Sequence, residues 1–211
     1  MFSNTLGYRY RVKVFAKFKI HPFDVDECEH EDMALDAFVS CAEPDDELAQ
    51  KIVDRLERGS AEEEDRGGYR VCWHERDFLL GAMINRSIEQ SIEHSKRVIC
   101  VLSGAFLRSE FCMLEFRTAW HWNLLKGKHR LIVVKCDGVD EALTAAARDA
   151  VAGVEDVRMF LSTYTYIKHG SDDWWHRLLY VMPTNRLPND DPNFHHGFFA
   201  GADNDTGKLS L

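Results

Sequence analysis

The chain has 211 residues, of which 45% are hydrophobic and 29% are charged, and its formal net charge at pH 7 is −9. This length fits one domain of about 150 residues with flanking segments and is too short for a second full domain. The acidic balance argues against the basic face with which nucleic-acid-binding proteins displace counterions, so we expect no nucleic acid as a partner.

The first charged segment is basic. Residues 8–19, YRYRVKVFAKFK, contain five cations and no carboxylate, and the chain turns acidic from Asp24 onward. Such a segment is typical of the cytoplasmic side of a membrane span, where positive charge accumulates and contacts anionic lipid. An exposed edge strand is the alternative. No apolar run approaches the roughly 20 residues of a membrane helix, and Met1 begins no signal peptide, so the chain as given is expected to be soluble.

Strand-length apolar runs then alternate with segments of helical period. The predicted strands are LDAFVSC (35–41), YRVCW (69–73), RVICVLS (97–103), HRLIVVKC (129–136) and a short edge strand within DVRMFLSTYTYI (156–167). The predicted helices are DDELAQKIVDRLERG (45–59), MINRSIEQSIEHS (83–95), LRSEFCMLEFRTAWHWNLL (107–125), DEALTAAARDAV (140–151) and DDWWHRLLYVMP (172–183). This order predicts an α/β domain with an open five-stranded parallel sheet and helices on both faces, since right-handed crossovers place them there.

The domain is expected to span residues 33–183. Residues 1–32 form the basic segment and an acidic linker. Residues 184–211 are rich in Asn, Asp, Gly and Pro, which predicts a disordered polar tail.

The six cysteines show no C-x-x-C pair and no spacing typical of zinc ligands. They are Cys28, Cys41, Cys72, Cys100, Cys112 and Cys136. We expect buried free thiols in a reducing compartment rather than disulfides or a metal site, because a chain of this size has core enough to fold without a disulfide framework.

Several enzyme classes are disfavoured by missing motifs. The glycine loops that cradle nucleotides, G-x-G-x-x-G and G-K-[ST], do not occur, and neither does the G-x-S-x-G turn of serine hydrolases. A phospho-accepting receiver domain would end its third strand in Asp, whereas this strand ends in Ser103.

The segment HERDFLLG (74–81) is predicted to be a loop with the composition of a docking element. Arg76 and Asp77 can form directional charge-assisted bonds, and Phe78 with the following leucines offers an apolar anchor. Exposed apolar groups are costly unless a partner covers them. As surface residues they should tolerate substitution with little loss of stability. Alternatively, Arg76 and Asp77 pair within the domain and Phe78 folds back into the core.

Four blocks of sequence, in order, resemble the Toll/interleukin receptor (TIR) domain family. LDAFVSC is similar to its first box, HERDFLLG to its second and DDWWHRLL to its third, while LSGAFLRSEFCMLEF (102–116) resembles its third strand and the following helix. The resemblance covers about residues 33–183 and implies a flavodoxin-like fold. Gly81 without a preceding proline is most similar to invertebrate-type Toll receptors, and the basic segment resembles their juxtamembrane region.

The resemblance also implies roles for individual residues. The expected partner-binding residues are His74, Glu75, Arg76, Asp77, Phe78, Leu79, Leu80, Gly81, Phe111 and Cys112. The box residues expected to be structural are Asp36, Ala37, Phe38, Ser40, Trp174 and Trp175. Strand alternation should bury the first group on two faces, and the tryptophans should pack.

The function implied is that of the cytoplasmic signalling domain of a single-pass Toll-type receptor in innate immunity or development. It would self-associate and recruit a TIR-containing adaptor of the myeloid differentiation type, without catalysis, cofactor or metal. The alternative is a TIR-type NAD hydrolase with NAD as substrate. There Glu115 would stabilise the oxocarbenium-like centre that forms as nicotinamide leaves. Glu115 could instead be structural and pair with a residue one helical turn away.

Overall fold

One parallel sheet of five strands organises the domain. A computed structural model describes residues 33–58, 68–78, 84–126 and 130–183. The strands are β1 (Leu35–Ser40), β2 (Val71–Trp73), β3 (Ser95–Leu102), β4 (Leu131–Lys135) and β5 (Ile167–Lys168). They lie in the order β2-β1-β3-β4-β5, and each pairing is parallel. This is the flavodoxin-like order, which confirms the predicted fold class.

Helices cover both faces of the sheet. They are α1 (Asp46–Arg58), α2 (His74–Asp77), α3 (Ile84–Glu93), α4 (Glu110–Lys126), α5 (Val139–Arg148), α6 (Val154–Thr163) and α7 (Trp174–Val181), with 3-10 turns at Glu43–Asp45 and Phe106–Arg108. Helices α1 and α7 pack on one face, whereas α3, α4, α5 and α6 pack on the other. Right-handed crossovers between parallel strands explain this division.

Strand β1 feeds both cores because its side chains alternate. All six of its residues are buried. Ala37 and Val39 belong to the cluster beneath α1 and α7, while Phe38 belongs to the cluster beneath α4. A strand covered on both faces requires this nearly continuous apolar run.

Two elements differ from the sequence prediction. Residues 156–167 end in the predicted short edge strand, β5, but most of them are helical, because α6 occupies Val154–Thr163. Val154, Val157 and Phe160 are buried at helical spacing, although β-branched and aromatic residues favour strands by composition. The start of HERDFLLG is the one-turn helix α2 rather than a loop.

Five cysteines fall within the described ranges and are free thiols. Four of them, Cys41, Cys72, Cys100 and Cys112, are buried as predicted, whereas Cys136 is half-buried. Cys28, the basic segment 8–19, the remainder of HERDFLLG from Leu79 to Gly81 and the tail from residue 184 lie outside the described residues. Within the described ranges no helix has the length and apolarity that crossing a membrane requires.

A buried ion pair joins β1 to its neighbours at the amino-terminal edge of the sheet. Asp36 Oδ1 accepts a hydrogen bond from Lys96 Nζ at 3.0 Å, and Asp36 Oδ2 accepts one from the backbone N–H of Arg70 at 3.0 Å. The two charged side chains are 0% and 7% exposed. Asp36 therefore connects the first strand to the third and to the residue preceding the second.

Replacing Asp36 with Ala should lower the free energy of unfolding by about 3–5 kcal/mol, because the Lys96 ammonium would remain buried without its carboxylate. Urea unfolding measures this change. The control is Lys51→Ala, which breaks an exposed pair with Glu47 and should cost less than about 1 kcal/mol. Equal losses in the two variants would contradict the structural role of Asp36.

Candidate functional site

Arg76 is held against the rest of the domain by bonds on three sides, although its side chain is 33% exposed. Its Nη1 and Nη2 donate to the two carboxylate oxygens of Glu57 at 2.9 Å each, a bidentate pair with the end of α1. Its Nε donates to Asp77 Oδ1 at 2.7 Å, and Nη2 also donates to the carbonyl of Val71 at 2.8 Å. The guanidinium thus fastens α2 to α1 and β2.

Asp77 and Phe78 also turn inward. The Asp77 side chain is 1% exposed, and its Oδ2 accepts a hydrogen bond from the backbone N–H of Trp73 at 2.8 Å. Phe78 stacks on Phe38 with ring centroids 6.2 Å apart and packs against the core beneath α4. This geometry matches the alternative interpretation of pairing within the domain, and it does not fit the expectation that these positions tolerate substitution.

The exposed part of α2 is its first turn. Glu75 is exposed, and its Oε1 lies 3.2 Å from His74 Nε2. The His74 ring meets Phe78 edge-on, with ring centroids 6.2 Å apart. Of the predicted docking residues on α2, Glu75 has the most exposed side chain at 49%, followed by Arg76 at 33% and His74 at 23%.

Glu115 points into the domain from α4. Its residue is 2% exposed, and its Oε2 accepts a hydrogen bond from Ser40 Oγ at the carboxyl end of β1. Burial raises the pKa of this carboxyl to about 7, although the bond from Ser40 opposes the shift. The predicted structural alternative, pairing one turn away, is replaced by this contact with β1.

Glu115 lies beside the point in the sheet at which the strand order reverses. Ser40 and Cys100 are register partners on β1 and β3, and the order of the strands reverses between these two. Open α/β sheets bind ligands in the crevice beside such a point. Glu115 is 2% exposed at this point, so the surrounding side chains close its carboxyl off from solvent.

The outward side of α4 carries apolar groups. Phe111 is 55% exposed and Leu114 is 39% exposed. The neighbouring Cys112 is buried, and its Sγ donates to the carbonyl of Cys41 at 3.2 Å. Of these two predicted partner-binding residues, Phe111 is therefore exposed to solvent, whereas burial keeps the thiol of Cys112 from the surface.

A groove of about 570 Å³ runs along this side of α4. Arg108, Phe111, Leu114 and Arg117 line it together with Val151 from the turn before α6. Sequence reasoning selected Phe111 alone. The spacing of three residues between Phe111 and Leu114, which places them on one side of a helix, is the signal that could have identified Leu114.

The two predicted tryptophans occupy different environments. Trp175 is 5% exposed beneath the guanidinium of Arg55, whose Cζ lies 4.2 Å from the ring centroid. Trp174 meets Trp175 edge-on at 5.6 Å and His169 at 5.0 Å, and it lines an open groove of about 780 Å³ between α1 and α7. Trp175 is a packing residue, and Trp174 is partly a surface residue.

Asp77→Ala should lower the free energy of unfolding by about 3 kcal/mol, because Arg76 loses a carboxylate and the Trp73 N–H loses its acceptor in a buried site. Chemical denaturation checks this value. Glu75→Ala changes an exposed residue two positions earlier in α2 and should alter the free energy of unfolding by less than about 0.5 kcal/mol. An unchanged free energy of unfolding in Asp77→Ala would contradict the role of that carboxylate as a buried hydrogen-bond acceptor.

Glu115→Gln should make the stability less dependent on pH. The folded state holds the Glu115 proton more tightly than the unfolded state, because the pKa rises from 4.5 to about 7. This contribution is therefore fully present below pH 4.5 and is lost as pH rises to about 7, a difference of about 3 kcal/mol.

The glutamine variant is neutral at every pH, so it should be more stable than the wild type at pH 8 and approach it near pH 4. Denaturant unfolding across this range provides the measurement. The exposed variant Glu89→Gln should follow the wild-type curve. Parallel curves for wild type and Glu115→Gln would show that Glu115 ionises without cost.

The chain is similar to Toll receptors over most of its length. It is 30% identical to the Drosophila melanogaster protein Toll over 190 residues, which are 88% of this chain and 16% of that protein. It is 29% identical to Rattus norvegicus Toll-like receptor 4 over 163 residues, or 74% of this chain and 18% of that protein. The chain therefore spans less than a fifth of the length of these relatives. The predicted resemblance is confirmed.

The fold is similar to that of solved TIR-containing proteins. A metazoan TIR-STING receptor from C. gigas, in complex with 2′,3′-cGAMP, superimposes with a TM-score of 0.50 at 25% identity and covers 82% of this chain and 47% of that protein. The sequence model of the TIR domain matches residues 37–167, which is more than half of the chain, and the chain accordingly belongs to the TIR domain family.

Proposed function

We propose that this domain is the cytoplasmic signalling module of a single-pass Toll-type receptor and that it recruits a TIR-containing adaptor of the myeloid differentiation type. Membership of the TIR family and similarity to Toll receptors support a signalling role. The basic segment 8–19 would lie at the anionic inner surface of the membrane. Receptor pairing would raise the local concentration of two such domains, so individual contacts can be weak.

The observation that carries this proposal is the division of α4 into two sides. Glu115 is 2% exposed and bonded to β1, whereas Phe111, four residues earlier on the same helix, is 55% exposed. The carboxylate that a hydrolase would use is closed off, and an aromatic side chain stands in solvent. Large exposed apolar groups beside charged ones are typical of protein-binding surfaces.

Helix α2 supplies a second contact. Arg76 and Asp77 hold α2 against α1 and β2, so the backbone that carries the exposed Glu75 is fixed before a partner binds. A group held in place before binding loses less entropy when a partner arrives. In this proposal the contacts of Arg76 and Asp77 within the domain hold α2 in place, and the exposed residues of α2 bind the adaptor.

Capture on beads coated with the TIR domain of a candidate adaptor tests the proposal. The wild-type chain should bind, and Glu75→Arg should bind about tenfold more weakly at an unchanged melting temperature, a loss of about 1.4 kcal/mol. The control Glu141→Arg makes the same charge change at an exposed position of α5 and should bind as the wild type does. Equal capture by both variants would remove α2 from the interface, and failure of the wild type to bind any such adaptor would overturn the proposal.

NAD cleavage is the second candidate, favoured by one observation. Glu115 lies next to the point between β1 and β3 where the strand order reverses. Its pKa of about 7 allows the carboxyl to change charge near neutral pH. For this function the crevice would have to open and expose the carboxylate to NAD.

Incubating the wild-type chain and Glu115→Gln with NAD separates the two functions. A signalling scaffold should consume no more NAD than buffer in either form, and Glu115→Gln should still be captured by the adaptor. Consumption by the wild type that falls at least a hundredfold in Glu115→Gln would establish the enzyme, because such a loss is typical when charge stabilisation of a transition state is removed.

A further inference from the structure

The groove of about 780 Å³ between α1 and α7, called the α1–α7 groove, has the lining of a small-molecule site. Trp174, Trp175 and His169 form its aromatic wall, and Pro44 and Leu48 contribute apolar surface from the start of α1 and the turn before it. Cavities of about 300–1,000 Å³ that combine apolar and aromatic side chains with a few polar groups are typical of ligand sites.

The aromatic wall is held in place before any ligand binds. The Trp174 ring meets Trp175 edge-on with centroids 5.6 Å apart, and it meets His169 edge-on with centroids 5.0 Å apart. Trp174 is half-buried, whereas Trp175 is only 5% exposed. The groove therefore presents the partly exposed indole of Trp174 in a fixed orientation, which lowers the entropy that binding costs.

Arg55 places a positive charge beside these rings. Its Cζ lies 4.2 Å from the centroid of the Trp175 ring, so a cation–π contact holds the guanidinium against the aromatic wall. Its Nε is buried without an acceptor, and within the described ranges the guanidinium has no hydrogen-bond or ion-pair partner. A ring, and not a carboxylate, thus positions this guanidinium at the groove.

The other cations of the α1–α7 groove are matched by carboxylates. Lys51 Nζ lies 2.6 Å from Glu47 Oε1, and Arg58 Nη2 lies 3.3 Å from Asp54 Oδ1. These two pairs add no net charge to the lining. Arg55 is therefore the cation of the described lining that lacks a carboxylate partner.

The remaining carboxylate of the lining, that of Asp45, lies far from Arg55. Asp45 precedes α1 and accepts a hydrogen bond from Ser103 Oγ. Arg55 comes ten residues later, which places it about 15 Å further along the helix axis. Since salt screens exposed charges beyond about 8–10 Å, Asp45 offsets the charge of Arg55 only weakly.

One unmatched guanidinium beside a set of rings selects a class of ligand. A carboxylate can accept two parallel hydrogen bonds from the guanidinium edge, and a flat ring attached to it can pack against Trp174. An aromatic cation would face the like charge of Arg55. A polyanion would carry more negative charge than one guanidinium balances and would meet the carboxylates of Glu47 and Asp54.

We propose that the α1–α7 groove binds a small aromatic carboxylate, in which one flat ring system carries a single negative charge. Arg55 binds the carboxylate, and Trp174 packs against the ring. The site goes beyond the proposed function, because none of the described residues that line it lies on α2 or α4.

Naphthoate and naphthamide provide a matched pair of probes for the full 211-residue chain. They share the same ring system and nearly the same shape, but only naphthoate is charged. Isothermal titration calorimetry should show naphthoate binding at least about tenfold more tightly, because hydrogen bonds to charged groups are the stronger ones. Nuclear Overhauser contacts between the naphthoate protons and the indole of Trp174 should locate the probe in the groove without any variant.

Matched variants assign the preference to Arg55. Arg55→Met retains a straight apolar side chain over Trp175 and removes the charge, so it should abolish the preference for naphthoate. Trp174→Ala should weaken both probes by a similar factor. The control Arg58→Met removes a cation of the same groove that Asp54 already matches, and its preference should equal that of the wild type. Melting temperatures verify that each variant is folded.

Four outcomes would overturn the inference. The first is equal binding of the two probes to the wild type, and the second is a preference that survives Arg55→Met. The third is displacement of naphthoate by a peptide with the sequence of residues 184–211, which would assign the groove to the carboxyl-terminal segment of the chain. The fourth is self-association that naphthoate disrupts, which would assign the groove to a second copy of the chain.

Discussion

The constraint on which the domain depends is that β1 is buried on both faces yet carries a polar side chain at each end. Asp36 and Ser40 are both 0% exposed, so each must find a partner inside the protein. Asp36 finds Lys96 and the backbone of Arg70 at one edge of the sheet. Ser40 finds Glu115 at the other. The pairing of β1 with β3 and the orientation of α4 bring the partners of these two groups into place.

The rotation of α4 decides which of its residues meet the outside. Once Glu115 faces β1, helical geometry turns Phe111 and Leu114 toward solvent and Cys112 toward Cys41. A single buried hydrogen bond thereby influences the composition of a surface some residues away. Exchanging the inward and outward groups would bury Phe111 at the cost of exposing Phe116, which is fully buried.

Most of the sheet could be predicted from the sequence because its strands are short apolar runs rich in β-branched residues, bounded by turn residues. Helix α6 was not predicted because the residue types of Val157 and Phe160 suit a strand as well as a helix. The helix begins after Gly153 and buries these two side chains in the core, which distinguishes the two possibilities. Local pattern carries little information about such a choice until tertiary packing is known.

The candidate site was predictable in its location and less so in its orientation. The box resemblance indicated HERDFLLG, but the pairing of Arg76 with Glu57 joins residues 19 positions apart, and that of Ser40 with Glu115 joins residues 75 apart. Contacts between distant segments leave no periodic trace in one sequence. Predicting that Phe111 is exposed and Cys112 buried requires only the rotation of α4 about its axis. That rotation, however, is fixed by the contact of Glu115 with β1.

The buried thiols give this domain a built-in chemical reporter of its own opening. Burial raises the pKa of Cys112 to about 12 and also raises the pKa of Cys72, so the nucleophilic thiolate is scarce in the folded state at neutral pH. An alkylating reagent must therefore wait for a local opening before it can react with either thiol. Cys112 lies on α4 and Cys72 on β2, so their separate labelling rates would report how often each of these regions opens.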